Sequence, residues 1–215
     1  DGDKNIIDLI EMGCWSNTHK LGGEDNLKLS IEGGVIHFND LQFDVNNLPM
    51  HGRHNLNNVV MAMYTSFLYG VDPQKSFSAL KNSKGVKRRF ETVFKNSDKI
   101  VIDDFAHHPT AISFTVQAAK NHFSDKKIVG IIELASNTMS RGHHGGELYD
   151  SAAGLEQVYW LNLSSKKNQN FEYDSINLLL EDLKKDINNI DVILIMSNKD
   201  SKKISEPIID LIKNK

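Results

Sequence analysis

The stretch "KIVIDDFAHHPTAISFTVQAAKNHFSDKKIVGIIEL" (residues 99–134) decides the fold. Its opening "KIVI" is a short apolar run closed by two acids, which reads as a strand. After Pro109 the apolar residues recur at helical spacing, with Ile112, Val116, Ala119 and Phe123 on one face. "KKIVGIIEL" (126–134) is again a strand, apolar on both faces. Such strands need cover on both faces, and a helix between two of them is the crossover of a parallel sheet.

The same alternation continues toward the C-terminus. A helix is expected around Gly146 to Ala153, a strand at "QVYWLNL" (157–163) and a helix at "DSINLLLEDLKKDI" (174–187). A strand at "DVILIMSN" (191–198) and a helix at "ISEPIIDLIKN" (204–214) complete the series. Upstream the period differs. "NLKLSIEGGVIHFNDLQFDV" (26–45) alternates and reads as a small antiparallel meander, with Gly33-Gly34 as a tight hairpin turn. From His54, Leu56, Val60, Met63 and Phe67 mark a helix that Gly70 ends, and Asp72-Pro73 opens a shorter one. "NIIDLIEMGCWSN" (5–17) fits helix or strand. The expected fold is therefore α/β: a Rossmann-like, mostly parallel sheet with helices on both faces (residues 87–215), preceded by the end of another α/β domain that carries the meander (1–86).

Composition excludes several classes. The chain of 215 residues is 40% hydrophobic and 25% charged, which is ordinary for a globular protein. Its formal charge of −3 argues against a nucleic-acid partner. The basic run "KGVKRR" (84–89) reads as a solvated face. Cys14 is the only cysteine, so no internal disulfide is available, which fits a cytoplasmic location. No apolar run approaches the ~20 residues that span a bilayer, and no leader pattern opens the chain. The first residue is Asp1, and the expectation is a piece of a longer protein.

Ligands of open α/β sheets bind at the carboxyl ends of the strands. Three polar clusters occupy such ends: "DDFAHHPT" (103–110), "ELASNTMSRGHH" (133–144) and "MSNKDSKK" (196–203). This position singles out Asp103, Asp104, His107, His108, Ser136, Asn137, Thr138, Ser197 and Asn198. Asp103 or Asp104 serves equally well as a cap of the following turn. His107 and His108 are adjacent and diverge, so the two alone do not make a metal site. His143 and His144 read as exposed loop residues, and Met139, Met196, Trp15 and Trp160 as packing residues. The sequence has no G-x-x-x-x-G-K-[ST] phosphate loop, no G-x-G-x-x-G after a strand and no G-x-S-x-G elbow.

"GRHNLNN" (52–58) at a helix start, then "VKRRFE" (86–91), then "DDFAHHPT" resembles, in that order and spacing, the Mur ligase family of ATP-dependent amide-forming enzymes of peptidoglycan synthesis. The resemblance runs from Met12 to about Leu211. "MGCWSN" (12–17), "SNTM" (136–139) and "VILIMSN" (192–198) are similar to the branch that joins UDP-N-acetylmuramate to L-alanyl-γ-D-glutamyl-meso-diaminopimelate in peptidoglycan recycling. The alternatives are the branch that adds L-alanine, or a non-catalytic peptide- or nucleotide-binding module.

The resemblance implies three domains, of which this chain matches the end of the central ATPase domain and all of the third. It places the P-loop, the Mg²⁺ ligands and the UDP-sugar pocket upstream, so the chain alone is expected to be inactive. It implies ATP and Mg²⁺ as cofactors, with no metal ligand among these residues. His54 and Asn55 are expected at the nucleotide, Asn55 facing adenine, since an amide offers both a donor and an acceptor to a base edge. Arg89 is expected at the phosphates or ribose, Asp104 at the ribose hydroxyls and His107 near the reaction centre. Ser136, Asn137, Thr138, Ser197 and Asn198 are expected around the incoming peptide. The implied chemistry is phosphorylation of the lactyl carboxylate, then attack of the peptide amine on the acyl phosphate, helped mainly by positioning and charge stabilisation. Asp104→Ala is accordingly expected to weaken ATP use with little change in melting temperature. Two stretches depart from the family: Leu134-Ala135 replace a Pro-Arg pair, and "KDSKK" (199–203) replaces a Gly-rich loop, where Lys199, Lys202 or Lys203 offers a compensating cation.

Overall fold

The computed structural model describes residues 4–19, 29–134, 145–161 and 171–214. The chain divides into two compact units. One comprises Asp1–Pro49 and His54–Lys84, and the other Met50–Arg53 and Gly85–Lys215.

In the first unit, helix α1 (Lys4–Glu11) precedes the meander β1 (Leu29–Glu32), β2 (Val35–Phe38) and β3 (Leu41–Asp44). Both strand pairs are antiparallel, with Glu32 opposite Val35 and Phe38 opposite Leu41. Gly33 and Gly34 have φ of 56° and 80°, the left-handed pair that a two-residue hairpin turn requires. Helix α2 (Arg53–Leu68) and helix α3 (Pro73–Lys81) follow. Asp72 caps α3 by accepting from the Gln74 and Lys75 amides, and Pro73 sits in the first turn, where its missing N–H costs nothing. The ambiguous N-terminal stretch is helical, because Ile6, Ile7, Leu9 and Ile10 recur at helical spacing. Trp15, expected to pack, is instead fully exposed, and Ile6 and Leu9 of the same stretch are also exposed. Ile7 and Ile10 of the stripe are half-buried, and none of its residues is fully buried.

The second unit is a six-stranded sheet in the order β4-β5-β9-β6-β7-β8. Its elements are β4 (Glu91–Lys95), β5 (Ile100–Asp104), α4 (Pro109–His122), β6 (Ile128–Glu133), α5 (Gly145–Asp150), β7 (Gln157–Leu161), β8 (Glu172–Tyr173), α6 (Ile176–Asp186), β9 (Val192–Met196) and α7 (Lys202–Lys213). All neighbouring strands run parallel except the edge pair β4/β5. The periodicity gave no sign of β4 or β8. Both lie at sheet edges and neither carries an apolar run: β4 is only partly buried and β8 is two residues long.

Two cores flank the sheet. Ile102, Leu194, Met196 and Ile132 face α4 and α5 through Ile112, Val116, Ala119 and Leu148. Val101, Ile193, Ile195, Val129 and Ile131 face α6 and α7 through Leu179, Leu183, Ile204 and Ile208. Trp160 is buried, as expected for a packing residue. At Gly130 in β6 a Cβ would lie 2.7 Å from the Leu155 side chain, which would have to shift to admit it.

Candidate functional site

The chain passes from β5 to β6 through α4 on one face, then returns to insert β9 between these two strands, with α6 and α7 on the other face. The segments after β5 and β9 therefore diverge to opposite faces. That is a topological switch point, where an open α/β sheet leaves a crevice at the carboxyl ends of its strands. β4 runs antiparallel to β5, with Glu91 opposite Asp103, so the segment just before β4 lies at the same end. The sheet register thus brings "VKRRFE", "DDFAHHPT" and "MSN" together.

Strand alternation sorts the polar side chains. Asp103 pairs in register with Ile195, and Met196 with both Asp104 and Ile132. Asp103, Ser197 and Glu133 therefore share the face covered by α6 and α7, while Asp104 turns to the α4 face. All four are buried.

Asp104 is 1% exposed, and its carboxylate accepts three hydrogen bonds. Oδ2 accepts from the Phe90 amide at 2.8 Å, and Oδ1 from the Ala106 amide at 2.8 Å and the Thr115 hydroxyl at 3.3 Å. Asp104 thus ties the segment before β4, the turn after β5 and helix α4 into one corner. The capping alternative is realised here, through the Ala106 amide.

Ser197 is fully buried, and its hydroxyl donates to a Glu133 carboxylate oxygen while accepting from the Lys199 amide at 2.9 Å. Asp103 accepts from the Ser201 hydroxyl at 2.6 Å and pairs with Arg88 at 3.4 Å. Burial raises the Asp103 carboxyl above its ordinary value; the Ser201 bond and the Arg88 charge pull the other way. Asp103 Oδ1, Arg88 Nε and Asn198 Oδ1 are buried atoms without a hydrogen bond, all at this end of the sheet.

Arg88 and Arg89 stand before β4. Arg88 and Phe90 have φ of 57° and 56°, so two non-glycine residues flanking Arg89 are left-handed. Such conformations cost about 1–3 kcal/mol each and persist where surrounding bonds enforce them. The Arg88 guanidinium donates to the Ser197 carbonyl at 2.5 Å. Both guanidinium groups lie over the Phe105 ring, at 5.0 Å for Arg88 and 5.8 Å for Arg89. His107 is half-buried and its Nδ1 lies 2.9 Å from the Phe105 carbonyl. His108 is exposed at the start of α4.

Asn55 is buried in the first turn of α2, next to His54; both belong to the first unit. Ser136, Asn137 and Thr138 lie outside the described residues, as do Met139, His143 and His144. Leu134 is buried and extends the β6 ladder, its amide donating to Leu161. Lys199, Lys202 and Lys203 are exposed around the start of α7. Sequence reasoning missed Arg88, Phe105, Glu133 and Ser201. Glu133 stands at a strand's carboxyl end and was open to the same positional rule as Ser197; Arg88 was masked by its neighbour Arg89.

The fold and the site define a doubly wound α/β domain with a polar switch-point crevice edged by arginine. The chain belongs to the Mur ligase family: residues 88–199 match the family model described as Mur ligase, glutamate ligase domain. Its relatives include the UDP-N-acetylmuramate–L-alanine ligase of Streptococcus pyogenes serotype M28, 34% identical over 79% of this chain and 36% of that protein. The enzyme of the same name from Ligilactobacillus salivarius is 36% identical over 54% of this chain and 26% of that protein. Among solved structures, a murein peptide ligase from Psychrobacter arcticus superposes with a TM-score of 0.61 and 28% identity, over 84% of this chain and 42% of that one. A UDP-N-acetylmuramate-alanine ligase from Thermotoga maritima shares the fold with a TM-score of 0.60 at 22% identity, over 83% of this chain and 42% of that one. The chain thus spans well under half the length of these relatives.

Proposed function

We propose that the full-length protein is an ATP-dependent ligase that joins UDP-N-acetylmuramate to L-alanyl-γ-D-glutamyl-meso-diaminopimelate, in peptidoglycan recycling and in the cytoplasm. Residues 1–86 would end its central ATPase domain, and residues 87–215 would form its third domain. The observation that carries this reading is the convergence of "VKRRFE", "DDFAHHPT" and "MSN" at one end of a single sheet, within the segment that matches the family.

In this reading Arg89 meets the nucleotide phosphates, and His54 and Asn55 meet the base. Asp104 is 1% exposed and bound to Phe90, Ala106 and Thr115, so in this reading it serves the ribose by fixing the corner that meets it. ATP would supply the phosphoryl group that activates the lactyl carboxylate, and Mg²⁺ would be held by residues outside this chain. His107 lies beside the reacting groups. Ser197, Asn198, Ser136, Asn137 and Thr138 surround the peptide. Ser197 is fully buried and holds Glu133 and the Lys199 amide, so its contribution to peptide binding is to shape the β9 corner. The tripeptide acceptor is supported by "SNTM" (136–139) and by the 28% identity to the murein peptide ligase structure.

A second reading, with L-alanine as acceptor, is supported by the curated relatives, which carry that name. Incubating the full-length protein with ATP, UDP-N-acetylmuramate and either acceptor separates the two. The expected result is phosphate release and an amide product, identified by mass, with the tripeptide. Product with L-alanine alone would replace the first reading by the second. Amide formation by residues 1–215 alone would overturn the upstream placement of the phosphate loop.

A further inference from the structure

We infer that Arg88 is a positioning residue that holds Arg89 in place for the phosphates, an inference that rests on the nucleotide reading of Arg89 above. Arg88 fastens every part of the corner to which Arg89 belongs. Its amide donates to Glu91 Oε2 at 2.8 Å, and its carbonyl accepts from the Phe105 amide at 2.9 Å. Its guanidinium donates to the Ser197 carbonyl, pairs with Asp103 and covers the Phe105 ring. These contacts reach the ends of both β5 and β9, the two strands that border the switch point.

Arg89 has fewer attachments. Its guanidinium lies over the same Phe105 ring, at 5.8 Å, and its amide donates to the Val86 carbonyl at 3.1 Å. The residues on either side of it are left-handed. Phe90 is held there by Asp104, and Arg88 by the five contacts just named. The direction in which Arg89 leaves the backbone is therefore set by two anchors, of which Arg88 is the one that also orients the aromatic ring beneath it. Only a planar guanidinium can donate to a carbonyl, pair with a carboxylate and lie over a ring together; a lysine ammonium keeps the charge but not the fork.

The test is a double-mutant cycle in the full-length protein, read as kcat and KM for ATP in the ligation reaction. Arg88→Lys is expected to lower kcat at least about ten-fold with KM for ATP changed less than about two-fold, because ground-state binding survives while the transition-state contact is misplaced. Arg89→Ala alone is expected to lower kcat to within about two-fold of the Arg88→Lys value. In the Arg88→Lys background, Arg89→Ala is expected to add less than about two-fold, since a misplaced Arg89 has little left to lose. Additive losses, or an Arg88→Lys enzyme with wild-type kcat, would overturn the inference. Arg89→Ala at wild-type rate would overturn the nucleotide reading itself, a different outcome. If Arg88→Lys does not fold by circular dichroism, Phe105→Leu takes its place: it removes the shared ring, leaves the Arg88–Asp103 pair, and should show the same non-additivity with Arg89→Ala.

Discussion

Ser197 donates its hydroxyl hydrogen to Glu133 across the neighbouring carboxyl ends of β9 and β6. Both residues are buried, Ser197 fully and Glu133 at 8% exposure. Ser197→Ala would leave a buried carboxylate oxygen without this donor and the Lys199 amide without its acceptor. Losses of this kind cost about 1–3 kcal/mol. Urea unfolding of the full-length protein should show that loss, and Ser197→Thr should recover most of it. In ligation assays Ser197→Ala should also raise KM for the peptide and spare KM for ATP. The reverse pattern would remove Ser197 from the peptide side.

Asp104 changes character between sequence and structure. With one carboxylate accepting from Phe90, Ala106 and Thr115 at 1% exposure, Asp104→Ala strands two buried amides. The expectation of an unchanged melting temperature is therefore corrected: the substitution should cost about 2–4 kcal/mol as well as weaken ATP use. Asp104→Asn keeps one acceptor oxygen and should cost less. Thermal melting of both variants beside KM for ATP checks this; an Ala variant that melts with the wild type would mean the three bonds contribute nothing.

These two residues show where sequence reading succeeds and stops. The alternation of apolar strands with helices set out the doubly wound sheet, since burial on both faces leaves a continuous apolar run. The position of Asp104 and Ser197 at strand ends followed from the same pattern. What each side chain touches did not follow, because the Ser197 hydroxyl meets Glu133 64 residues away and the Asp104 carboxylate meets the Phe90 amide 14 residues away, and the first of these contacts depends on β9 lying beside β6. That strand order has no local signature. Trp15 was misread for a related reason: composition marks it as a packing residue, but whether a partner surface exists is not written in its neighbours.

Acid should weaken the second unit at a defined place. The His51 and His122 rings stack at 4.2 Å, with Phe90 6.1 Å from each. Burial lowers both histidines below 6.5; His122 adds to the shift at His51, and Lys95 to that at His122. A histidine with a lowered folded value binds fewer protons folded than unfolded, so stability rises with pH through that range. It is fully present above 6.5 and lost as pH falls through the folded values. His122→Phe keeps a ring in the stack and removes one titration. Unfolding free energy measured between about pH 5 and pH 7.5 should fall less steeply for the variant than for the wild type. Parallel slopes would exclude His122 as a source of the acid sensitivity.

Two tyrosine hydroxyls fasten the far edge of the sheet, Tyr149 to Glu172 and Tyr173 to Asp182. β8 contains only Glu172 and Tyr173, paired with Trp160 and Leu161 of β7. The Tyr149 hydroxyl of α5 donates to Glu172 at 2.6 Å, and its ring packs edge-on to Trp160 at 4.8 Å. Burial first, then the Glu172 carboxylate, raises the Tyr149 hydroxyl far above its ordinary range, which keeps it a donor at neutral pH. A two-residue strand gains little from its own ladder, so the Tyr149–Glu172 bond should carry part of its order beside the Tyr173–Asp182 bond. Tyr149→Phe keeps the ring against Trp160 and deletes only the bond. It should cost about 1–2 kcal/mol, a hydrogen bond to a charged group being worth more than a neutral one. In a cycle with Glu172→Gln the coupling between the two positions should be about 1 kcal/mol or more; a coupling below about 0.5 kcal/mol would assign the stability of β8 to its backbone pairing instead.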